Sequence, residues 1–121
     1  MTPRLRNIAV DCNDVGKMVR FWTELLDYEV LGEDEGSALI APAPEARPRI
    51  YFQRVPEPRV GKNRLHIDLD VGEGDLEAGV RRAESRGARR QEFFEEGGPG
   101  YGWWVLSDPE GNLFCIGRIP G

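Results

Sequence analysis

The sequence predicts an α+β fold made of two copies of one strand–helix–strand–strand–strand unit. Two observations carry this. The first is a repeat: residues 5–12 read Leu-Arg-Asn-Ile-Ala-Val-Asp-Cys, residues 64–71 read Arg-Leu-His-Ile-Asp-Leu-Asp-Val, and both alternate apolar with polar or small side chains. Aligned on that alternation, Asn7 falls on His66, Ala9 on Asp68 and Asp11 on Asp70, an internal period of about 60 residues. The second is the shared pattern after each run: a turn containing Gly or Asn, an Asp, an amphipathic helix pattern and then short extended pieces. A helix covering one face of a curved sheet leaves the other face to meet something, and two such sheets can curl around a shared cavity.

Residues 5–12 are the first strand. Asp14 caps a helix over 15–26, because its carboxylate can accept from the N–H groups of the first turn. Val15, Met18, Val19, Trp22, Leu25 and Leu26 recur at helical spacing as one apolar stripe, widened by Phe21, and read as core. Extended pieces come next at 28–31, 37–41 and 49–54, punctuated by Gly32, Gly36, Pro42 and Pro44. Residues 55–63 are rich in Pro and Gly, lack periodicity and link the two units. The second unit opens with the strand 64–71. Asp75 caps a helix running to residue 86 with Leu76, Val80 and Ala83 inward, and Gly87 ends it. Strands are expected at 88–95, 101–107 and 113–119. Between them lie a glycine-rich loop, 96–102, and the turn Asp108-Pro-Glu-Gly-Asn, in which Pro presets φ and Gly tolerates a positive one. The chain reads as one domain over 1–121, with module one at 5–54, a linker at 55–63 and module two at 64–119.

Bulk composition narrows the partners. At 121 residues, 40% hydrophobic and 31% charged, the chain is of a size and balance that builds one core. Its net charge of −5 argues against a nucleic-acid partner, which clustered Lys and Arg would attract. Arginines at 81–82 and 86–90 are flanked by acids and read as a solvated helix face. No apolar run approaches the roughly 20 residues needed to span a membrane, and the first residues carry no signal-peptide pattern. Two cysteines, Cys12 and Cys115, do not make a disulfide framework, so a reduced, cytoplasmic protein is expected.

Three stretches carry a family resemblance. Leu5-Arg-Asn-Ile-Ala-Val-Asp with Val19-Arg-Phe-Trp-Thr-Glu-Leu-Leu, Lys62-Asn-Arg-Leu-His-Ile-Asp-Leu-Asp-Val, and Leu106-Ser-Asp-Pro-Glu-Gly-Asn-Leu-Phe-Cys resemble the vicinal oxygen chelate superfamily. That superfamily holds glyoxalase I, extradiol dioxygenases and the bleomycin and fosfomycin resistance proteins. The chain looks most like its small glyoxalase-like branch. The resemblance implies two βαβββ modules in a cupped, mostly antiparallel sheet around a cavity, and a homodimer. In metal-dependent members, a His on the first strand, a His opening module two and a Glu on the last strand bind a divalent metal. Carried over, those positions are Asn7, His66 and Cys115, and only His66 is the expected ligand type. Amide oxygen is a weak ligand, so a divalent metal is disfavoured, although thiolate with imidazole would suit zinc.

The remaining site reading comes from alternation. On the strand 64–71, Leu65, Ile67, Leu69 and Val71 share one face and His66, Asp68 and Asp70 the other. The apolar face should take the helix, which leaves His66, the only histidine, toward the cavity with Asp68. That pair is a candidate acid/base set, and a histidine merely satisfied by a neighbour is the bland alternative. Asp70 and Asp11 read as exposed. Cys115 is either a buried structural thiol or a ligand contact. Tyr51, Tyr101, Trp103 and Trp104 lie on cavity strands, and consecutive Trp103 and Trp104 must point to opposite faces, one toward the core and one toward a ligand. Arg47, Arg49 and Gln53 are candidates for pairing with an anionic substrate group, since Arg meets a carboxylate bidentately, with surface solvation the bland reading of Arg47; Asn7 is a further ligand-contact candidate. Loop 96–102 is either a mobile lid or a plain hairpin connection; it lacks the Lys and Ser/Thr of a phosphate loop.

The expected function is a glyoxalase-like protein binding a small organic molecule between the modules, with lyase or isomerase chemistry on a non-standard or absent metal site as its enzymatic form. The alternative is a non-catalytic drug- or metabolite-binding protein of the bleomycin-resistance type, and a third reading is a structural or regulatory module. An aromatic, acidic cavity would suit a cationic aromatic guest.

Overall fold

The computed structural model describes residues 1–119 and divides into two compact units between Arg59 and Val60. The first unit runs β1 (Ile8–Cys12), α1 (Val15–Leu26), β2 (Glu29–Glu33), β3 (Ser37–Ala41) and β4 (Ile50–Arg54). The second runs β5 (Asp68–Asp70), α2 (Leu76–Ser85), β6 (Arg89–Glu95), β7 (Gly102–Ser107) and β8 (Leu113–Arg118). The hydrogen-bonded strands form two four-stranded sheets, ordered β1-β4-β3-β2 and β5-β8-β7-β6. In each, the first strand pairs parallel with the last and the other pairings are antiparallel. This is the α+β, two-module βαβββ architecture with mostly antiparallel sheets.

The repeat holds at the level of register. Ala9 lies opposite Tyr51 in one unit and Asp68 opposite Cys115 in the other, which matches Ala9 with Asp68 as the alternation does. Each second strand carries an irregularity at the same place, between Val30 and Gly32 and between Arg90 and Glu92. Both are edge strands, where a bulge discourages pairing with another chain.

Local chemistry sets the helices. Asp14 accepts a hydrogen bond from the Lys17 N–H at 3.0 Å and Asp75 one from the Ala78 N–H at 3.1 Å, so both expected caps form. The helix α1 buries Val15, Met18, Val19, Phe21 and Trp22, while α2 buries Val80 and Ala83. Against α1 the sheet presents Ile40, Ile50, Phe52 and Ala38; against α2 it presents Leu106, Phe114 and Ile116, all within the core. Glycine at 79 lets α2 approach the sheet: a Cβ there would come within 2.8 Å of Val71 Cγ1.

Strand lengths depart from the sequence expectation at the opening of each unit. Residues 5–7 and 64–67 are not strand; β1 starts at Ile8 and β5 spans only Asp68–Asp70. The reason is the partner available. The Ile8 N–H bonds the Arg49 carbonyl and the Cys115 N–H bonds the Ile67 carbonyl, and no ladder continues beyond those bonds among the described residues. Asn63 instead fixes the approach, accepting from the Leu113 N–H at 2.8 Å and donating to the Leu65 and Leu113 carbonyls. The closing turn is built as expected on Asp108, 4% exposed, whose carboxylate accepts from the N–H groups of Glu110 and Asn112 and from the Asn112 side chain.

Candidate functional site

The sheet face that α2 leaves bare in the second unit carries a cavity of about 320 Å³, a volume that suits a small organic molecule. Strand register positions its walls. Phe114 and Ile116 of β8 are buried toward the helix, so Cys115 and Gly117 face the other way. The parallel ladder sets Asp68 beside Cys115 and Asp70 beside Gly117, and the β7–β8 ladder sets Trp103 beside Gly117. Asp68, Asp70, Trp103, Cys115 and Gly117 all line the cavity, with Leu69, Ile119 and Glu96.

Trp103 and Trp104 separate as consecutive strand residues must. Trp103 lines the cavity and stacks on Phe94 of the edge strand, ring centres 5.6 Å apart and planes 22° apart. Trp104 lies opposite Ile116, on the face that α2 covers. It packs against Phe93, and Arg90 sits over its ring at 4.7 Å. That guanidinium is held by Glu77 and Glu84 of α2, each at 2.8 Å. The bonds to Arg90, and then to Arg81, pull the Glu77 carboxyl down to about 2. The expectation of Trp104 as a ligand contact is corrected by this placement: it closes the helix–sheet packing and leaves the cavity to Trp103.

The pair Asp68 and Cys115 is the chemical centre of the cavity. Burial pushes the Cys115 thiol up, the Asp68 charge and a hydrogen bond to the Asp68 carboxylate push it further, and Lys62 acts weakly in the opposite sense. Cys115 is therefore held as a thiol donating to Asp68. Cys12 is likewise buried and outside any disulfide.

His66 is exposed, precedes β5 and is absent from the cavity lining, so the expected pairing with Asp68 across one strand face is not made. The strand that would have carried it begins two residues later. Tyr101 also stands outside the lining; its ring lies under Arg118 at 4.4 Å. Asn7, Arg49, Tyr51 and Gln53 belong to the first unit. Tyr51 and Gln53 alternate with the buried Ile50 and Phe52 and so lie on the β4 face away from α1. The Asn7 Oδ1 and Arg49 Nε atoms are buried without a hydrogen-bond partner. Sequence reading missed Glu96, Gly117 and Ile119, and it gave Leu69, which also lines the cavity, to the helix face. Gly117 and Ile119 come after Cys115 at the strand period of two, which would have found them; Glu96 had no such signal, because a loop places it.

The donor set does not fit a divalent metal. Asn7 offers a neutral amide, and among the described residues no group of three or more His, Cys, Asp or Glu side chains gathers closely enough to share an ion.

Comparison with known proteins agrees with this architecture. A family model described as a glyoxalase-like domain matches residues 7–117, and the chain belongs to that family. A glyoxalase/bleomycin resistance protein/dioxygenase family enzyme from Burkholderia phytofirmans superposes with a TM-score of 0.77 at 17% identity, covering 94% of this chain and 97% of that one. The fosfomycin resistance protein FosX from Mesorhizobium loti gives 0.75 at 12%, covering 99% and 95%. A mutant of the Listeria monocytogenes FosX, solved with Mn(II) and a dihydroxypropylphosphonic acid, gives 0.79 at 13%, covering 99% and 93%. At these identities the likeness is one of fold. No curated protein matches the chain in sequence.

Proposed function

We propose that the chain is a small-molecule-binding member of the glyoxalase-like family and that its guest is an organic cation with an apolar or aromatic body. The observation that carries this is the cavity wall: the carboxylates Asp68, Asp70 and Glu96 stand around the aromatic Trp103. A cation over an aromatic face is favoured by about 0.5–2 kcal/mol, and carboxylates nearby add to that while repelling anions. Cys115, with Gly117, supplies a floor that is small and uncharged. Binding without turnover, as in the bleomycin-resistance type, fits a site whose one histidine stands apart from it. Pairing of two copies of the chain and a reducing cytoplasmic setting belong to the same reading. Among the described residues no helix is long and apolar enough to cross a membrane.

The test is titration calorimetry of untagged protein with benzyltrimethylammonium and, separately, with benzoate. The cation should bind and the anion should not, with Trp103→Leu weakening the cation about tenfold, or 1.4 kcal/mol. Equal affinity for both ions, or a preference for benzoate, would refute the reading. Conversion of an added substrate that is lost in Asp68→Asn and His66→Ala would replace it with the lyase or isomerase alternative.

A further inference from the structure

We propose that Arg118 is a strap that fixes the glycine-rich loop 96–101 and thereby sets Glu96 at the cavity, making Arg118 a positioning residue for guest selectivity. The selectivity part rests on the function proposed above; the strap itself does not.

Glu96 reaches the cavity from a loop and not from the sheet. The loop closes on itself through two backbone bonds, Glu96 N–H to the Tyr101 carbonyl at 3.2 Å and Tyr101 N–H to the Gly98 carbonyl at 3.1 Å. Those bonds tie the loop to Tyr101, so whatever holds Tyr101 holds Glu96. Arg118, at the end of β8, does this with three groups at once. Its Nη1 donates to the Gly100 carbonyl at 3.2 Å, its guanidinium lies 4.4 Å from the centre of the Tyr101 ring, and its Nη2 meets Glu73 Oε2 at 3.0 Å. Glu73 closes the cluster by accepting from the Tyr101 hydroxyl at 3.4 Å. A planar guanidinium can stack and donate along separate directions together, which an ammonium cannot.

The contacts differ in weight. The Glu73 side chain is 71% exposed, so its ion pair with Arg118 is screened and weak. The Arg118 side chain is only 25% exposed, and its stacking and carbonyl bond carry the hold on the loop. Without that hold, the two backbone bonds are left to order the segment, since residues 96–100 are exposed and lie outside the strands. An unstrapped loop would carry Glu96 out of register with Asp68 and Asp70, and the cavity would lose part of its charge.

Amide hydrogen exchange on the full chain, without any ligand, tests the strap. In Arg118→Gln, the amides of Glu96 and Tyr101, the two hydrogen-bonded within the loop, should exchange at least tenfold faster, while those of α2 and β8 keep their protection. Arg118→Lys should fall between, and Glu73→Gln should change exchange less than twofold. Unchanged exchange in Arg118→Gln overturns the proposal, as does loss of protection throughout the second unit, which would make Arg118 a general stabiliser. Benzyltrimethylammonium titration then tests the link to Glu96. Arg118→Gln and Glu96→Gln should each weaken binding severalfold, and the double variant should be no weaker than the worse single one. Fully additive losses would break the link. A wild type that binds no cation would defeat the proposed function while leaving the exchange result to judge the strap.

Discussion

At the scale of single residues, Cys115 and Asp68 illustrate how neighbours set reactivity. A thiol beside a carboxylate and out of water keeps its proton, so Cys115 is a slow nucleophile. Replacing Asp68 by Asn removes the charge and leaves burial in place. The expected outcome is faster alkylation of Cys115 by iodoacetamide at a fixed, mildly alkaline pH, with Cys12 unchanged, read peptide by peptide by mass spectrometry. An equal or slower rate would mean that Asp68 does not govern the thiol. The neighbouring tryptophans make the complementary point. They are adjacent in sequence, yet one is a cavity wall and the other lies under Arg90 on the helix face.

At the scale of elements, the β6–β7 hairpin shows why the chain spends glycine where it does. Gly102 opens β7 at φ 143°, in a region that side chains avoid, and a Cβ there would run into the Phe94 carbonyl oxygen. Because backbone on both sides is locked in the ladder, the strain cannot relax by a side-chain turn. Gly102→Ala should therefore destabilise the protein by about 2 kcal/mol, measured by chemical unfolding, and a loss below about 0.5 kcal/mol would show that the hairpin gives way freely. The helices make the opposite trade in volume. Where α1 brings Phe21 and Trp22, the sheet opposite offers Ala38; where α2 brings Gly79 and Ala83, the equivalent sheet position holds Trp104. Core density is kept in both units by exchanging bulk between layers.

At the scale of the whole molecule, the charge cluster joining α2 to β6 predicts a pH dependence of folding. Glu77 has its folded carboxyl lowered from the usual 4.5 to about 2, chiefly by its hydrogen bonds to Arg90, and Glu84 is lowered in the same direction for the same first cause. A depressed carboxyl contributes stability that is present above its unfolded value and is lost as pH falls through its folded one. Thermal unfolding of Glu77→Gln against wild type should show a deficit at pH 7 that shrinks below about pH 4.5 and is gone near pH 2. The deficit should also shrink in high salt, since the pair is exposed. A deficit constant with pH would place the loss in packing and not in charge.

The sequence by itself determined the repeat, both helices with their caps, the Asp108 turn and the two-module strand pattern. These rest on short-range chemistry: alternation, helical spacing, an acid before an apolar stripe, a Pro-x-Gly turn. It also put Asp68, Trp103 and Cys115 among the candidate site residues, because strand period and repeat register are local properties that survive packing. The tertiary structure alone decided which tryptophan meets the cavity, that His66 falls short of the strand, and that Glu96 arrives from a loop. Each of these depends on a partner distant in the chain: α2 over Trp104, the end of the β8 ladder before His66, and Arg118 against the loop that carries Glu96. Alternation fixes that two neighbours point apart, and only the packed helix fixes which of them is inside.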